Sequence, residues 1–437
     1  MSAARGLIIA APKSGSGKTI LTLGLLRQWT RSGIAAAPFK VGPDYIDAAY
    51  HAAAAGRACA NLDSWAMRGE SLDVSAAALA QDAEFILGEG VMGLFDGAAG
   101  GGGATADLAA HFCLPVVLVI DVRGQGASVA ALAQGFASHR ADVEVAAVIF
   151  NHVASPRHED ILRSAMALTG IAVLGALPRD AALALPARHL GLVQAGESED
   201  LEAFLNAAAD HVARHVDSEG LRALGRPLHT SQGAAPPCLL QPLGRKIAVA
   251  RDVAFAFSYE AVLAGWRQAG AALSFFSPLA DEAPDAGADA IYLPGGYPEL
   301  HAGRLAANSN FMGGLRRAAQ NDVFIYGECG GYMVLGDGLI DAAGQRHAMA
   351  GLLPLETSFA APRLHLGYRE TEMLRDTPLA ARGAQFRGHE FHYAAVTQED
   401  GAHSLFRCSD SGGKDLGNMG LAAGAVMGSF IHLIDRR

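Results

Sequence analysis

Several absences narrow the class of this chain before any motif is read. Charged residues make up 18% and aromatics 7%, and no block of Lys or Arg occurs. With 34 Lys+Arg against 44 Asp+Glu, the net charge is −10, which excludes a general binder of nucleic acid or anionic membrane. The longest plain apolar run, Leu114–Ile120, falls far short of the roughly 20 residues a membrane helix needs. Leu7–Ala11 meets Pro12-Lys13 at once and reads as a strand, not a signal segment. The five cysteines (Cys59, Cys113, Cys238, Cys329, Cys408) are odd in number and form no C-x-x-C pair. That argues against a disulfide scaffold or zinc site and for a reducing, cytoplasmic setting.

What is abundant is apolar residues (51%) and glycine, 52 in 437 residues. The length suggests two or three domains, each able to bury its own core. Short β-branched runs alternate with Ala/Leu-rich stretches. Leu7–Ala11, Val116–Ile120, Ala146–Phe150, Lys246–Ala250, Ala290–Leu293 and Val323–Tyr326 read as buried parallel strands, and 18–32, 126–139 and 257–269 as helices. The expected fold class is α/β with two doubly wound parallel-sheet domains, binding ligands at the carboxyl ends of the strands. Residues 226–244 are rich in turn formers and lack periodicity, so they are expected to be a linker between domains at 1–225 and 245–437. The four glycines at 100–103 are expected to form a mobile loop.

The first glycine cluster follows the first strand: Pro12-Lys13-Ser14-Gly15-Ser16-Gly17-Lys18-Thr19, then a helix. Small residues let backbone N–H groups converge on phosphate oxygens at a helix N-terminus. Lys18 adds a cation, and the Thr19 hydroxyl suits Mg2+. The first glycine of the usual P-loop is Pro12 here. Lys13 lies five residues before Lys18, so the loop resembles the K-x-x-x-x-K variant of the MinD, nitrogenase-iron-protein and dethiobiotin-synthetase group.

Two acidic segments follow. Lys40-Val41-Gly42-Pro43-Asp44-Tyr45-Ile46-Asp47 places a cation and two carboxylates at a strand end, and Glu89 and Asp96 sit among small and apolar residues. Asp47, Glu89 and Asp96 are candidates to hold Mg2+ or orient substrate, with cap or turn roles as the alternative. Asp121 is a competing acid. Asn151 is placed either to read adenine or to cap.

The second cluster lies in the C-terminal half. Strand Val323–Tyr326 runs into Gly327-Glu328-Cys329-Gly330-Gly331, the pattern of a nucleophile elbow. A thiol at a helix N-terminus is expected to have a lowered pKa. Gly295, Gly296 and Gly330 offer backbone N–H groups for an oxyanion hole, and His432 offers a base.

With these motifs together, residues 245–437 resemble a class I, triad-type glutamine amidotransferase. Residues 1–225 resemble the ATP-dependent synthetase domain related to dethiobiotin synthetase. The combination is similar to the cobyrinic/hydrogenobyrinic acid a,c-diamide synthases of cobalamin biosynthesis. Lys40–Asp47, Glu89–Gly97, Leu185–Leu192 and Gly388-His389-Glu390-Phe391-His392-Tyr393 carry that wording. One departure stands out. Ordinary triad enzymes follow the histidine with Pro-Glu, whereas His432 precedes Leu433-Ile434, as in the cobalamin-type branch. Asp435 and Glu390 are the substitutes in reach by sequence.

The resemblance implies amidation of two acetate side chains of a corrinoid polycarboxylic acid, with glutamine as nitrogen donor and two ATP. It assigns Cys329 and His432 to glutamine hydrolysis. Beside it, the residue pattern offers Lys13–Thr19, Lys40 and Asn151 for ATP, with Thr19, Asp47 and Glu89 for Mg2+. Asp44, Tyr45, Ile46, Asp47 and Asp96 are left for substrate. The resemblance also implies a protected route for ammonia, and it is compatible with a homodimer. Cobyric acid synthase and nickel-sirohydrochlorin a,c-diamide synthase are the rivals within the enzyme class. A MinD-like ATP-dependent switch with a fused sensor is the rival outside it, and it has no need of Cys329 in its elbow.

Overall fold

A computed structural model describes residues 4–183, 187–188, 191–192, 194–197, 200–230 and 238–437. The chain divides into two compact units: Met1–Trp65, Gly69–Gly97 and Gly102–Pro237, and then Ala66–Arg68, Ala98–Gly101 and Cys238–Arg437. Among the described residues, no helix is long and apolar enough to cross a membrane.

The first unit is built on strands β1 (Arg5–Ala10), β2 (Ala36–Val41), β3 (Ala60–Leu62), β4 (Phe85–Glu89), β5 (Val116–Asp121), β6 (Val145–Val153) and β7 (Ala172–Pro178), in the order β3-β2-β4-β1-β5-β6-β7. All neighbours along this path are parallel. Every residue of β2, β4 and β5 is buried, and the apolar run Val116–Ile120 of β5 is legible for that reason, whereas β2 and β4 carry the buried charges Lys40 and Glu89. The chain leaves β1 toward β2 on one side and later adds β5 on the other. The carboxyl ends of β1, β2 and β4 therefore border a topological switch point, where open α/β sheets bind ligands.

Helix α1 (Lys18–Arg31) closes one face of this sheet, with Trp29 edge-on to Phe85 at 5.1 Å between ring centroids. Gly24 lets it approach helix Leu201–His215. A Cβ there would lie 2.7 Å from the Ala208 carbonyl oxygen. Leu21, Leu23, Leu25 and Leu26 are sealed from solvent, and each such burial is worth about 1.5–3 kcal/mol.

The second unit carries β8 (Lys246–Ala250), β9 (Ala272–Phe276), β10 (Ala290–Leu293), β11 (Phe324–Glu328), β12 (His365–Met373), β13 (Gln385–His392), β14 (Ser404–Asp410), β15 (Asp415–Ala423), β16 (Val426–Ser429) and β17 (Ile431–Arg436). Its sheet order is β9-β8-β10-β11-β16-β15-β14-β12-β13-β17. The five strands from β9 to β16 are parallel, and the rest continue antiparallel. This antiparallel extension is not expected from sequence, because its strands are interrupted by polar and charged residues and lack continuous apolar runs.

The expected linker 226–244 is largely structured at both ends. Arg226–Pro227 adds a short antiparallel strand to β1, and Leu239, Leu240 and Leu243 are buried. Residues 231–237 lie outside the described residues. So do Leu185, Pro186, His189 and Leu190 of the Leu185–Leu192 wording. Gly101, Gly102 and Gly103 have φ of 89°, 77° and 78°, a left-handed run that other residues would resist.

Candidate active sites

In the first unit, a cleft of about 570 Å³ opens at the carboxyl ends of the strands. Ser14, Gly15, Gly17, Lys18 and Thr19 line it, with Lys40, Asp44, Asp47, Glu89 and Asn151. Gly15 and Gly17 have φ of 74° and 94°, and α1 begins at Lys18, so its free N–H groups face the loop. Lys13 is exposed and does not line the cleft. Its carbonyl accepts the Ser16 hydroxyl hydrogen bond at 2.9 Å.

A compact ionic cluster sits below the loop. Thr19 Oγ1 donates to Glu89 Oε1 at 2.8 Å and lies 3.5 Å from Asp47 Oδ2. Lys40 Nζ donates to Asp47 at 2.5 Å and to Glu89 at 2.8 Å. His51 Nε2 lies 2.7 Å from the other Glu89 oxygen. Burial opposes charge on both Lys40 and Glu89, and is the largest influence on each, but their charged partners together outweigh it. Lys40 is held well above the usual ammonium range, with Asp47 and Asp44 helping. Glu89 is held well below the usual carboxylate range, with His51 helping. Burial lowers the Lys18 pKa against the pull of Glu89, and its ammonium donates to the Met92 carbonyl at 2.7 Å.

Asp44 caps helix α2 (Tyr45–Ala55), accepting from the Ile46 and Asp47 N–H groups. Burial, then Asp47, pushes its carboxyl up to about 6. Ile46 packs against the hydrophobic core, and neither it nor Tyr45 lines the cleft. Asp96 is also outside the lining, and its Oδ2 accepts the Gly93 N–H at 2.9 Å, the turn-capping alternative. Asp121 is engaged by Arg123 and His152, not by the loop. Against burial, the Arg123 hydrogen bonds bring it down to about 2.

Asn151 lines the cleft and also braces the phosphate loop. Its Nδ2 donates to the Ser16 carbonyl at 2.9 Å, and its Oδ1 accepts the His152 N–H. The bracing contact is the local, capping-type alternative of the two open for this residue. His51 was missed. The signal was available in its spacing, four residues after Asp47 and so on the same face of α2.

In the second unit, Cys329 joins β11 to the short helix Gly330–Leu335 with φ of 47°. Its N–H donates to the Ser429 carbonyl at 2.8 Å, and its Sγ faces the Phe391 carbonyl at 3.8 Å. A Cβ added to Gly295 would clash with His432 Cε1 while lying 3.2 Å from its Nε2 and 3.3 Å from Cys329 Cβ. Cys329, Gly295 and His432 therefore share one small space, and only glycine leaves it open. The Gly330 Cα faces the Gly296 nitrogen, which would be 3.0 Å from a Cβ there.

The thiol differs from expectation. Burial pushes the Cys329 pKa above its ordinary value, and the neighbouring acids Glu299 and Glu390 reinforce the shift. Burial also holds His432 well below the usual imidazole range, with His389 and His392 adding to it. His389 lies opposite His432 on the paired strands, ring to ring at 4.9 Å.

Neither expected substitute orients His432. Asp435 accepts from the Arg68 N–H and guanidinium, both part of this unit. Glu390 is taken by Arg369 at 2.7 Å and His392 at 2.7 Å. His365, Glu390 and His392 do place donor atoms within 4.8 Å of one another. However, the two imidazoles lie parallel at 4°, stacking instead of converging, and Arg369 already neutralises the carboxylate.

Comparison with known proteins agrees with both halves. Residues 7–193 match the CobQ/CobB/MinD/ParA nucleotide binding domain, and residues 246–437 match the CobB/CobQ-like glutamine amidotransferase domain. The chain is 55% identical to the hydrogenobyrinate a,c-diamide synthase of Brucella abortus over 99% of this chain and 98% of that protein. It is 55% identical to that of Rhizobium meliloti over 98% of this chain and 99% of the relative. It is 53% identical to that of Rhodobacter capsulatus over 98% of each. The chain belongs to the hydrogenobyrinate a,c-diamide synthase family.

Proposed function

We propose that this chain amidates the a- and c-acetate carboxylates of hydrogenobyrinic acid, using ATP and glutamine, as a step of cobalamin biosynthesis. The observation that carries the reading is a phosphate-binding loop ending in Lys18-Thr19 and a Cys329–His432 pair within one chain of this family. In this reading residues 1–225 are the synthetase domain, 226–244 the connection and 245–437 the amidotransferase. The reaction suits a cytoplasmic setting.

A carboxylate resists amidation because its leaving group would be oxide. Transfer of the ATP γ-phosphoryl group to it releases ADP and replaces that leaving group with phosphate. Lys18 and the N–H groups of Gly15 and Gly17 hold the phosphates and offset the charge of the transferring group. Thr19, Asp47 and Glu89 supply hard oxygen donors close together, which suits Mg2+. When bound, the ion neutralises phosphate charge. Lys40 and His51 keep Glu89 ionised for that role. Asp44, at the cleft edge, is the acid best placed to meet the substrate.

In the second unit, the Cys329 thiol gives its proton toward His432 as sulfur attacks the glutamine carboxamide carbon. The C–N bond then breaks, and ammonia leaves with that proton. N–H groups about Gly295, Gly296 and Gly330 are the candidates to meet the developing oxyanion. Water hydrolyses the thioester to glutamate. Ammonia attacks the acyl phosphate, giving amide and phosphate, and the cycle runs twice.

Mass spectrometry of products tests the reading. Hydrogenobyrinic and cobyrinic acids, supplied separately with glutamine and ATP, are expected to show diamidation of the metal-free acid. Diamide from neither acid overturns the assignment. Diamide from cobyrinic acid alone reassigns the substrate.

A further inference from the structure

His432 lacks a carboxylate two residues downstream, where Ile434 stands. Another element brings one in. Glu328 ends β11, one residue before Cys329, and its Oε2 lies 3.8 Å from His432 Nδ1. Both side chains are buried, at 3% and 1% exposure. The other edge of the ring, Cε1 and Nε2, faces Gly295 and Cys329. The imidazole thus lies between the nucleophile on one edge and a carboxylate on the other.

We propose that Glu328 is the positioning residue for His432, fixing the ring from its Nδ1 side and stabilising the imidazolium formed when Cys329 gives up its proton. This rests on the glutaminase reading above.

The carboxylate is itself well held. Its Oε2 accepts the Tyr292 hydroxyl at 2.7 Å, and its Oε1 accepts the Leu433 N–H at 3.1 Å. The second bond fixes the backbone immediately after His432. These partners donate, so they favour the ionised acid, whereas burial disfavours it. Burial prevails and lifts the Glu328 carboxyl to about 7. At 3.8 Å the pair is longer than a hydrogen bond, a separation that commonly shortens when substrate binds.

Other groups around the pair are accounted for. His389 stacks on His432, and burial, with Arg369 adding to it, holds His389 neutral down to about 3. His392 and Glu390 act on His432 with opposite signs. Tyr292 and Tyr326 flank Glu328, and burial keeps both phenols protonated.

The test is the glutaminase activity of the full chain with ATP and corrinoid present, comparing wild type, Glu328→Gln and Glu328→Asp across pH. Ammonia-driven synthesis serves as the control for folding. Glu328→Gln is expected to lose about tenfold or more in kcat, with KM changed by less than about twofold. Its acid limb moves to lower pH, because the carboxyl that titrates near neutrality is gone. Glu328→Asp recovers part of kcat and keeps an acid limb. A Glu328→Gln enzyme with the wild-type pH profile overturns the proposal, whether or not its rate falls. Should that variant also lose ammonia-driven synthesis, Tyr292→Phe decides. It is expected to slow glutamine hydrolysis and shift the acid limb, and an unchanged profile overturns the proposal. Wild-type enzyme without glutaminase activity would instead sink the functional reading beneath it.

Discussion

Lys40 Nζ lies 2.8 Å from Glu89 Oε1, with the two side chains only 3% and 1% exposed. Two opposite charges are thus kept out of water at the floor of the nucleotide cleft, each favouring the charged form of the other. Replacing Lys40 with Met leaves the Glu89 charge without its ammonium. The expected loss is about 3–5 kcal/mol, the usual cost of breaking a buried pair. Urea unfolding at pH 7 measures it. A loss below about 1 kcal/mol would mean that the pair is not buried in solution.

Asp44 has the opposite balance. Its carboxyl is raised to about 6, so the folded state holds this proton more tightly than the unfolded chain does. Its contribution to stability is therefore greatest in acid and falls as pH rises through the window between the ordinary carboxylate value and about 6. Asn also caps helices well. Asp44→Asn is expected to be more stable than wild type at pH 8, with the advantage fading toward pH 4. Thermal unfolding at the two pH values checks this, and an equal difference at both contradicts it.

The two half-reactions should separate by mutation. Cys329→Ala is expected to abolish glutamine-dependent synthesis while sparing synthesis from added ammonia. Lys18→Ala is expected to lose synthesis with both nitrogen sources while retaining at least part of the glutaminase activity. Loss of both activities in Cys329→Ala would argue against separable sites. Unchanged ATP affinity in Lys18→Ala would remove the phosphate role of the loop.

Burial and the acids about it oppose the thiolate form of Cys329. Alkylation of this residue by iodoacetamide is expected to be slow at pH 7 without glutamine and to rise continuously into the alkaline range. Peptide mass mapping distinguishes it from exposed Cys113. A rate that levels off near pH 7 would show an activated thiolate in the free enzyme.

Much of this was legible in sequence because it depends on local pattern. The phosphate loop, the elbow and the buried parallel strands each announce themselves within a dozen residues. The rest depends on strands brought together from afar. The antiparallel strands β12–β15 mix buried, half-buried and exposed residues without a regular period. That Glu328 lies 3.8 Å from His432 follows from β17 reaching the carboxyl end of β11, where the Leu433 N–H meets Glu328, a proximity no spacing reveals. Asp435 is claimed by Arg68, more than three hundred positions away in sequence. Thiol acidity was misjudged because helix position was visible in sequence and burial was not.

Asn151 has a consequence for the thermodynamics of ligand capture. By gripping the Ser16 carbonyl from β6, it ties the phosphate loop to a different strand of the sheet. A loop left free would have to surrender backbone entropy on each encounter, and that cost would be subtracted from affinity. A side chain that restrains the loop from another strand lowers that ordering cost.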